Sequence, residues 1–328
     1  MVADLAISDL DTGIDVSFRR TASCGMPMGQ DVQIHVKAGT AYPLNVSTCG
    51  SVWVCPACSA KIRTRRAIEV AAAVAVHKMR GGDVAMLTLT VRHERWMSLS
   101  MVLDGLMGSW RSMQQAGEWR ALRKTFVGTI RALEVTVGES GWHPHLHVLL
   151  LVQAGRDRAF IDREAGRLFA GWVAEVESRI GVAPTARRGM SIVWMDDGAE
   201  YVAKLQEAGL EVAYADGKRG SYPFGLLEGV GAGDLASIQL WREYADTMKG
   251  RRALEWSRGL RDTLGLDEEK SDEELALEEV DGQAVDVVPV DVWRSMMVQR
   301  HSTGILMVEW YLRQIEREWW EEHGSPTG

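Results

Sequence analysis

The chain has 328 residues and a mass of 36.4 kDa, with 46% hydrophobic and 25% charged side chains, a globular balance with room for one large domain or two modest ones. Its 37 basic and 45 acidic residues give a net charge of −8, which as an average argues against a polyanionic partner. No run of about 18 apolar residues is free of charge and the N-terminus is acidic without an apolar core, so neither a membrane span nor a secretory signal is expected, and the chain reads as cytoplasmic.

From the N-terminus, the first thirty residues read as an irregular lead-in, followed by a short strand at Val32–Val36. Ser59–Arg80 is Ala-rich and basic, a helix stopped by Gly81-Gly82. Val84–Val91 is β-branched and apolar, a buried strand, and Ser98–Arg123 returns to helical spacing. Phe126–Val137 and His143–Val152 are strand-like and flank a turn signal, Gly138-Glu139-Ser140-Gly141. An amphipathic helix at Arg158–Ile180, a strand at Ser191–Met195 and a helix at Gly198–Ala208 follow. This β-α-β-β-α-β-α order predicts an α+β fold: one antiparallel sheet with helices packed on one face, as in ferredoxin-like and RNA-recognition-motif domains. Helices are further expected at Ala236–Lys249 and Arg252–Leu264, then an acidic run from Asp267 to Glu279, then a Trp- and Met-rich region over Val292–His323.

The charge is unevenly spread. Residues 1–260 carry 31 basic and 28 acidic groups, whereas 261–328 carry 6 and 17; within the first part, 61–131 carry 13 and 5. A basic body with an acidic tail is compatible with binding a polyanion. Four regions are therefore expected: 1–80 with the cysteines and a basic helix, 81–265 as the principal domain with a helical extension, 266–282 as an acidic linker, and 283–328 as a helical Trp-rich region.

The most informative segment is His143-Pro144-His145-Leu146-His147. Alternation along a strand puts the three imidazoles on one face and Leu146 on the other. A turn centred between Glu139 and Ser140 places Glu134 opposite His145, and cross-strand partners share a face. Two histidines and a carboxylate suit a divalent ion with open positions for substrate. His143 is a further ligand candidate. Downstream, Tyr201 and Lys204 are three residues apart and would share a helical face, with Asp197 one turn before. A phenol beside an ammonium can serve as a nucleophile, although Tyr-x-x-Lys alone also fits an ordinary amphipathic helix.

Cys49, Cys55 and Cys58, with Cys24 further back, supply four thiols. The Cys-Pro-x-Cys turn suits a structural Zn²⁺ knuckle, with buried free thiols as the alternative and His35 as a substitute ligand. Lys61, Arg63, Arg65 and Arg66 follow on the first long helix, either as phosphate contacts or as a solvated face.

In combination these segments resemble the HUH endonucleases, specifically the rolling-circle replication initiator (Rep) proteins of small plasmids. Leu87-Thr88-Leu89-Thr90 is similar to their first motif, His143–His147 to the histidine motif and Tyr201–Lys204 to the nucleophile motif. The segment Cys49–Ile62, Arg219-Gly220, Pro223-Phe224, Leu226-Leu227, Leu240–Tyr244 and Ala253–Ser257 resemble the actinobacterial-type branch, so the likeness covers roughly residues 20–265. It implies a metal-dependent DNA nickase and strand transferase. Mg²⁺ or Mn²⁺ would sit on His145, His147 and Glu134, and Tyr201 would attack single-stranded origin DNA to leave a 5′-phosphotyrosine and a 3′-OH primer. Lys204 would stabilise charge on the transferring phosphoryl group. Asp197, with Glu200 as the competing candidate, would act as the base that ends the reaction. Tyr214 and Tyr222 are alternative second nucleophiles. The implied partners are single-stranded origin DNA, the double-strand plasmid origin and a host helicase, with no membrane. A relaxase, a single-strand transposase or a non-catalytic origin-binding protein are the competing readings.

Overall fold

The computed structural model describes residues 17–37, 39–195, 222–278, 282–299 and 307–324, without the side chains of 17–19, 186 and 187. In chain order the elements begin with α1 (Ser17–Ala22), β1 (Val32–Lys37), β2 (Thr40–Leu44), α2 (Pro56–Met79), β3 (Asp83–Thr90), α3 (Leu99–Gln115) and α4 (Gly117–Arg123). There follow β4 (Phe126–Gly138), β5 (Gly141–Val152), α5 (Arg158–Ile180), α6 (Ala186–Gly189) and β6 (Met190–Trp194). After a 3₁₀ turn at Pro223–Gly225 come α7 (Leu226–Gly231), α8 (Leu235–Met248), β7 (Leu254–Trp256), α9 (Leu260–Leu264), α10 (Asp272–Leu277), β8 (Gln283–Val288), α11 (Val290–Val298) and α12 (Met307–His323). The chain divides into two compact units, residues 52–270 and residues 1–51 with 271–328.

The larger unit is built on a five-stranded antiparallel sheet in the order β6-β3-β5-β4-β7. Its spine is the long β4–β5 hairpin, closed by Gly141 at φ +91°, a left-handed conformation that costs glycine little. Alternation divides the strands cleanly. Leu87, Leu89, Leu146, Val148 and Leu150 are at most 1% exposed and face one way, where α3 packs against β5 and α5 against α3 and α4. Val84, Met86, Ile130, Ala132, Leu149 and Leu151 face the other way and form a core with Val70, Ala73 and Val74 of α2 and Leu260 and Leu264 of α9. The α+β class and the antiparallel sheet agree with the sequence reading, and α2 additionally covers part of the second face. That cover meets the Leu149–Leu151 end of β5; the His143–His147 end of the same face carries the half-buried polar groups.

Two expected helices differ in detail. Ser98–Arg123 is broken at Ala116, whose ψ of 151° is extended, because the break lets Trp110 and Trp119 both turn inward and meet edge to face at 5.1 Å. The predicted helix over Arg252–Leu264 is instead strand β7, with Leu254 and Trp256 turned into the core, followed by the short α9. An edge position on β4 and the burial of two large apolar groups outweigh a modest helical preference.

The smaller unit is a three-stranded antiparallel sheet in the order β2-β1-β8, with α11 and α12 contributing Trp293 and Val308 to a core of Val32, Ile34, Val36, Ala41 and Val288. Trp293 is 1% exposed and donates its indole N–H to the Gly25 carbonyl at 2.8 Å, satisfying the polar atom that burial would otherwise strand. The C-terminal helices agree with expectation; β2 and β8 had no clear signal in the sequence. Among the described residues, no helix is long and apolar enough to cross a membrane.

Candidate functional site

The β4–β5 register pairs Glu134 with His145, the pairing that the turn position predicted. Glu134 Oε2 lies 2.8 Å from His145 Nε2 and 3.2 Å from His147 Nε2. The three residues offer ligand atoms within 4.8 Å of one another and could hold a metal ion. Each is only partly buried, leaving an open side for substrate. Burial alone would raise the Glu134 carboxyl, but hydrogen bonds from His145 and His147, joined by the Tyr222 hydroxyl, outweigh it and hold the group well below the usual carboxylate range. An ionised carboxylate beside two imidazoles suits a divalent cation better than it suits any neutral ligand.

The supporting groups are built in. Thr88 pairs with His147 across the β3–β5 ladder, and its hydroxyl lies 3.1 Å from His147 Nδ1, which leaves Nε2 turned toward Glu134. Tyr222 donates to Glu134 Oε1 at 2.6 Å, leaving Oε2 for the histidines. Among the described residues, His145 Nδ1 is buried without a hydrogen-bond partner.

His143 shares the face, but its Nδ1 meets His93 Nε2 at 2.9 Å instead of joining Glu134. Burial pushes the His143 imidazole down to about 4, with His145 and His93 adding to the shift, so it is neutral across the physiological range. His93 carried no sequence signal, since it lies past the end of β3. Glu243 was also missed as a brace: one carboxylate oxygen accepts from Leu99 N at 2.6 Å and the other from Trp142 Nε1 at 2.9 Å, tying the start of α3 to the start of β5. Its place in the Leu240–Tyr244 segment was the available hint.

No disulfide joins Cys24, Cys49, Cys55 and Cys58. Cys49, Cys55 and Cys58 are at most 6% exposed. Four thiols can supply the donor set of a closed tetrahedral site, and these could bind zinc. His35 is engaged elsewhere, with Nδ1 3.0 Å from the Gly282 carbonyl.

The basic residues of α2 are half-buried. Arg63 lies over the Trp53 ring at 5.3 Å and donates to Ser59 Oγ. Arg66 is drawn to Glu69 at 3.0 Å and Glu269 at 3.5 Å. Lys61 and Arg65 share the helix and have partners of their own. Asp197, Glu200, Tyr201, Lys204 and Tyr214 lie outside the described residues.

Residues 44–165, which span β3 and the histidine hairpin, match the family model described as "Replication protein". The chain is 32% identical over 303 residues to "Protein rep" of Streptomyces lividans, an alignment covering 70% of this chain and 66% of that protein. It is 34% identical over 142 residues to the "Neomycin resistance protein" of Streptomyces cyanogenus, covering 35% of this chain and 32% of that one. A third likeness, 41% over 66 residues, is to "Uncharacterized protein 1" of Halorubrum pleomorphic virus 1. The chain thus spans no more than 66% of the length of these relatives. By the family-model match, which includes the histidine hairpin, and the long alignment to a Streptomyces Rep, the chain is similar to the Rep replication proteins of plasmids.

Proposed function

We propose that the chain initiates rolling-circle replication by nicking single-stranded DNA at the plasmid origin. The observation that carries this reading is the convergence of Glu134, His145 and His147 on one half-open face, with Thr88 and Tyr222 orienting them. Mg²⁺ or Mn²⁺ bound there would polarise a non-bridging oxygen of the scissile phosphate and offset the charge gathering on it. Tyr201 supplies the nucleophile: its oxygen bonds to phosphorus, the bond from phosphorus to the 3′ oxygen breaks, and that oxygen takes up a proton to become the 3′-OH primer. The 5′ end remains on Tyr201 as a phosphotyrosine. Lys204 stabilises the transferring phosphoryl group, and Asp197, ahead of Glu200, takes the proton from the species that closes the cycle. The four cysteines would hold a Zn²⁺ in a structural role, since four protein ligands would leave it no open position for chemistry. Lys61 and Arg65 contact backbone phosphate, and a host helicase opens the duplex origin beyond the nick.

The test is incubation with single-stranded origin DNA and Mn²⁺. Wild type is expected to give a covalent adduct mapping to Tyr201, and Tyr201→Phe none; an undiminished adduct in that variant would overturn the assignment. His145→Ala with His147→Ala should lower nicking at least about a hundredfold while sparing DNA binding, the signature of lost metal chemistry.

A further inference from the structure

Among the described residues, Trp96 is the aromatic side chain that stands out among large exposed apolar groups, at 73% exposure. It lies in the connection between β3 and α3, and that connection is firmly held. Val91 and Met97 are each 3% exposed and anchor its two ends. Met97 N donates to the Glu94 carbonyl at 3.0 Å, closing a turn. His93 reaches the β4–β5 hairpin twice, with Nδ1 3.1 Å from the Ser140 carbonyl and Nε2 2.9 Å from His143 Nδ1. Gly141 permits a backbone approach there, since a Cβ at that position would meet Arg95 Cα at 3.2 Å. Between these anchors Arg92, Arg95 and Trp96 face solvent, with Glu94 3.6 Å from Arg92.

The placement relates this loop to the metal-ligand group. The His93 ring is 5.0 Å from His143, and His143 is 5.5 Å from His145 between ring centroids. A bare indole on a rigid loop is an unfavourable exposure unless something covers it. Its exposed sequence neighbours include Arg92 and Arg95, and an indole flanked by guanidinium groups suits a polyanion better than an apolar protein or lipid surface. An unpaired base offers a π-face of that size and carries phosphates on either side for guanidinium groups. Rigid anchoring means little ordering cost on binding.

We propose that residues 91–97 form a stacking platform for an unpaired nucleic-acid strand entering the Glu134–His145–His147 site. Trp96 stacks on one base while Arg92 and Arg95 contact the flanking phosphates. The proposal rests on the reading of that site as one that acts on single-stranded DNA.

The test uses the full chain in chelator with two labelled probes of equal phosphate number: oligothymidylate of about 20 nucleotides, longer than one binding site, and the matching abasic strand. Trp96→Ala should weaken oligothymidylate binding about tenfold and leave the abasic strand unaffected, and Trp96→Phe should recover most of the loss. Arg92→Ala with Arg95→Ala should weaken both probes and flatten the salt dependence by roughly the 1.4 log units per log unit expected for two single-strand phosphates. Unchanged oligothymidylate binding by Trp96→Ala overturns the platform, as does equal loss on both probes, or loss confined to capture of a protein. Nicking in Mn²⁺ is measured alongside. A chain that nicks but ignores Trp96 sinks the platform alone; one that stacks through Trp96 yet never nicks sinks the nickase alone.

Discussion

At the scale of single residues, the site is a contest between burial and pairing. Glu134 stays ionised because three hydrogen bonds outweigh its desolvation. His143 has no such carboxylate contact, so burial wins and its imidazole is pushed down to about 4. The sign of the linkage follows. A histidine whose pKa in the fold lies below its ordinary 6.5 stabilises the native state fully above 6.5, and that contribution is lost as pH falls toward 4. His143→Gln should therefore flatten the acid limb of a plot of Tm against pH over this window, measured in chelator. An acid limb as steep as that of wild type would remove His143 from the account. His93, also lowered mainly by burial, faces it and shares the effect.

At the scale of elements, the histidine strand is held in place from outside the ladder. Trp142, 2% exposed at the start of β5, stacks on Tyr244 of α8 with ring centroids 5.9 Å apart. Glu243, the neighbouring residue, accepts from both Trp142 and the first backbone N–H of α3. Removing that carboxylate strands two donors, one of them at a helix N-terminus that also favours negative charge. Glu243→Ala is expected to cost about 2–4 kcal/mol in urea unfolding, since charge-assisted hydrogen bonds are the stronger kind. A change below about 0.5 kcal/mol would show the brace to be idle. The pairing of Glu134 with His145 was readable from the turn and the period of two. The brace was not, because nothing local to residue 243 says which distant donors it meets.

At the scale of the whole molecule, the acidic tail belongs to a folded unit. Ser271 caps α10 through a reciprocal capping box with Glu274, and Leu275 and Ala276 are at most 2% exposed. Residues 283–288 then pair with β1 across roughly 250 residues of chain, and Trp293 fills the core beneath. A chain ending at Lys270 would leave Val32, Ile34 and Val36 uncovered on one edge. Limited proteolysis should then cut residues 32–44 rapidly while the sheet over residues 83–152 resists; equal resistance of both would show that β1 and β2 stand without β8.

The sequence by itself determined the β-α-β-β order, the face on which the three histidines lie and the carboxylate opposite them, because alternation along a strand and a two-sided turn are local rules. It also determined the grouping of four thiols as candidate metal ligands, through their spacing. Tertiary structure alone decided that His143 turns to His93, that Tyr222 and Thr88 orient the ligands, that Leu254–Trp256 is an edge strand and that β8 joins β1. Each of these depends on groups far apart in the chain, where burial and a partner's position, rather than local propensity, set the outcome.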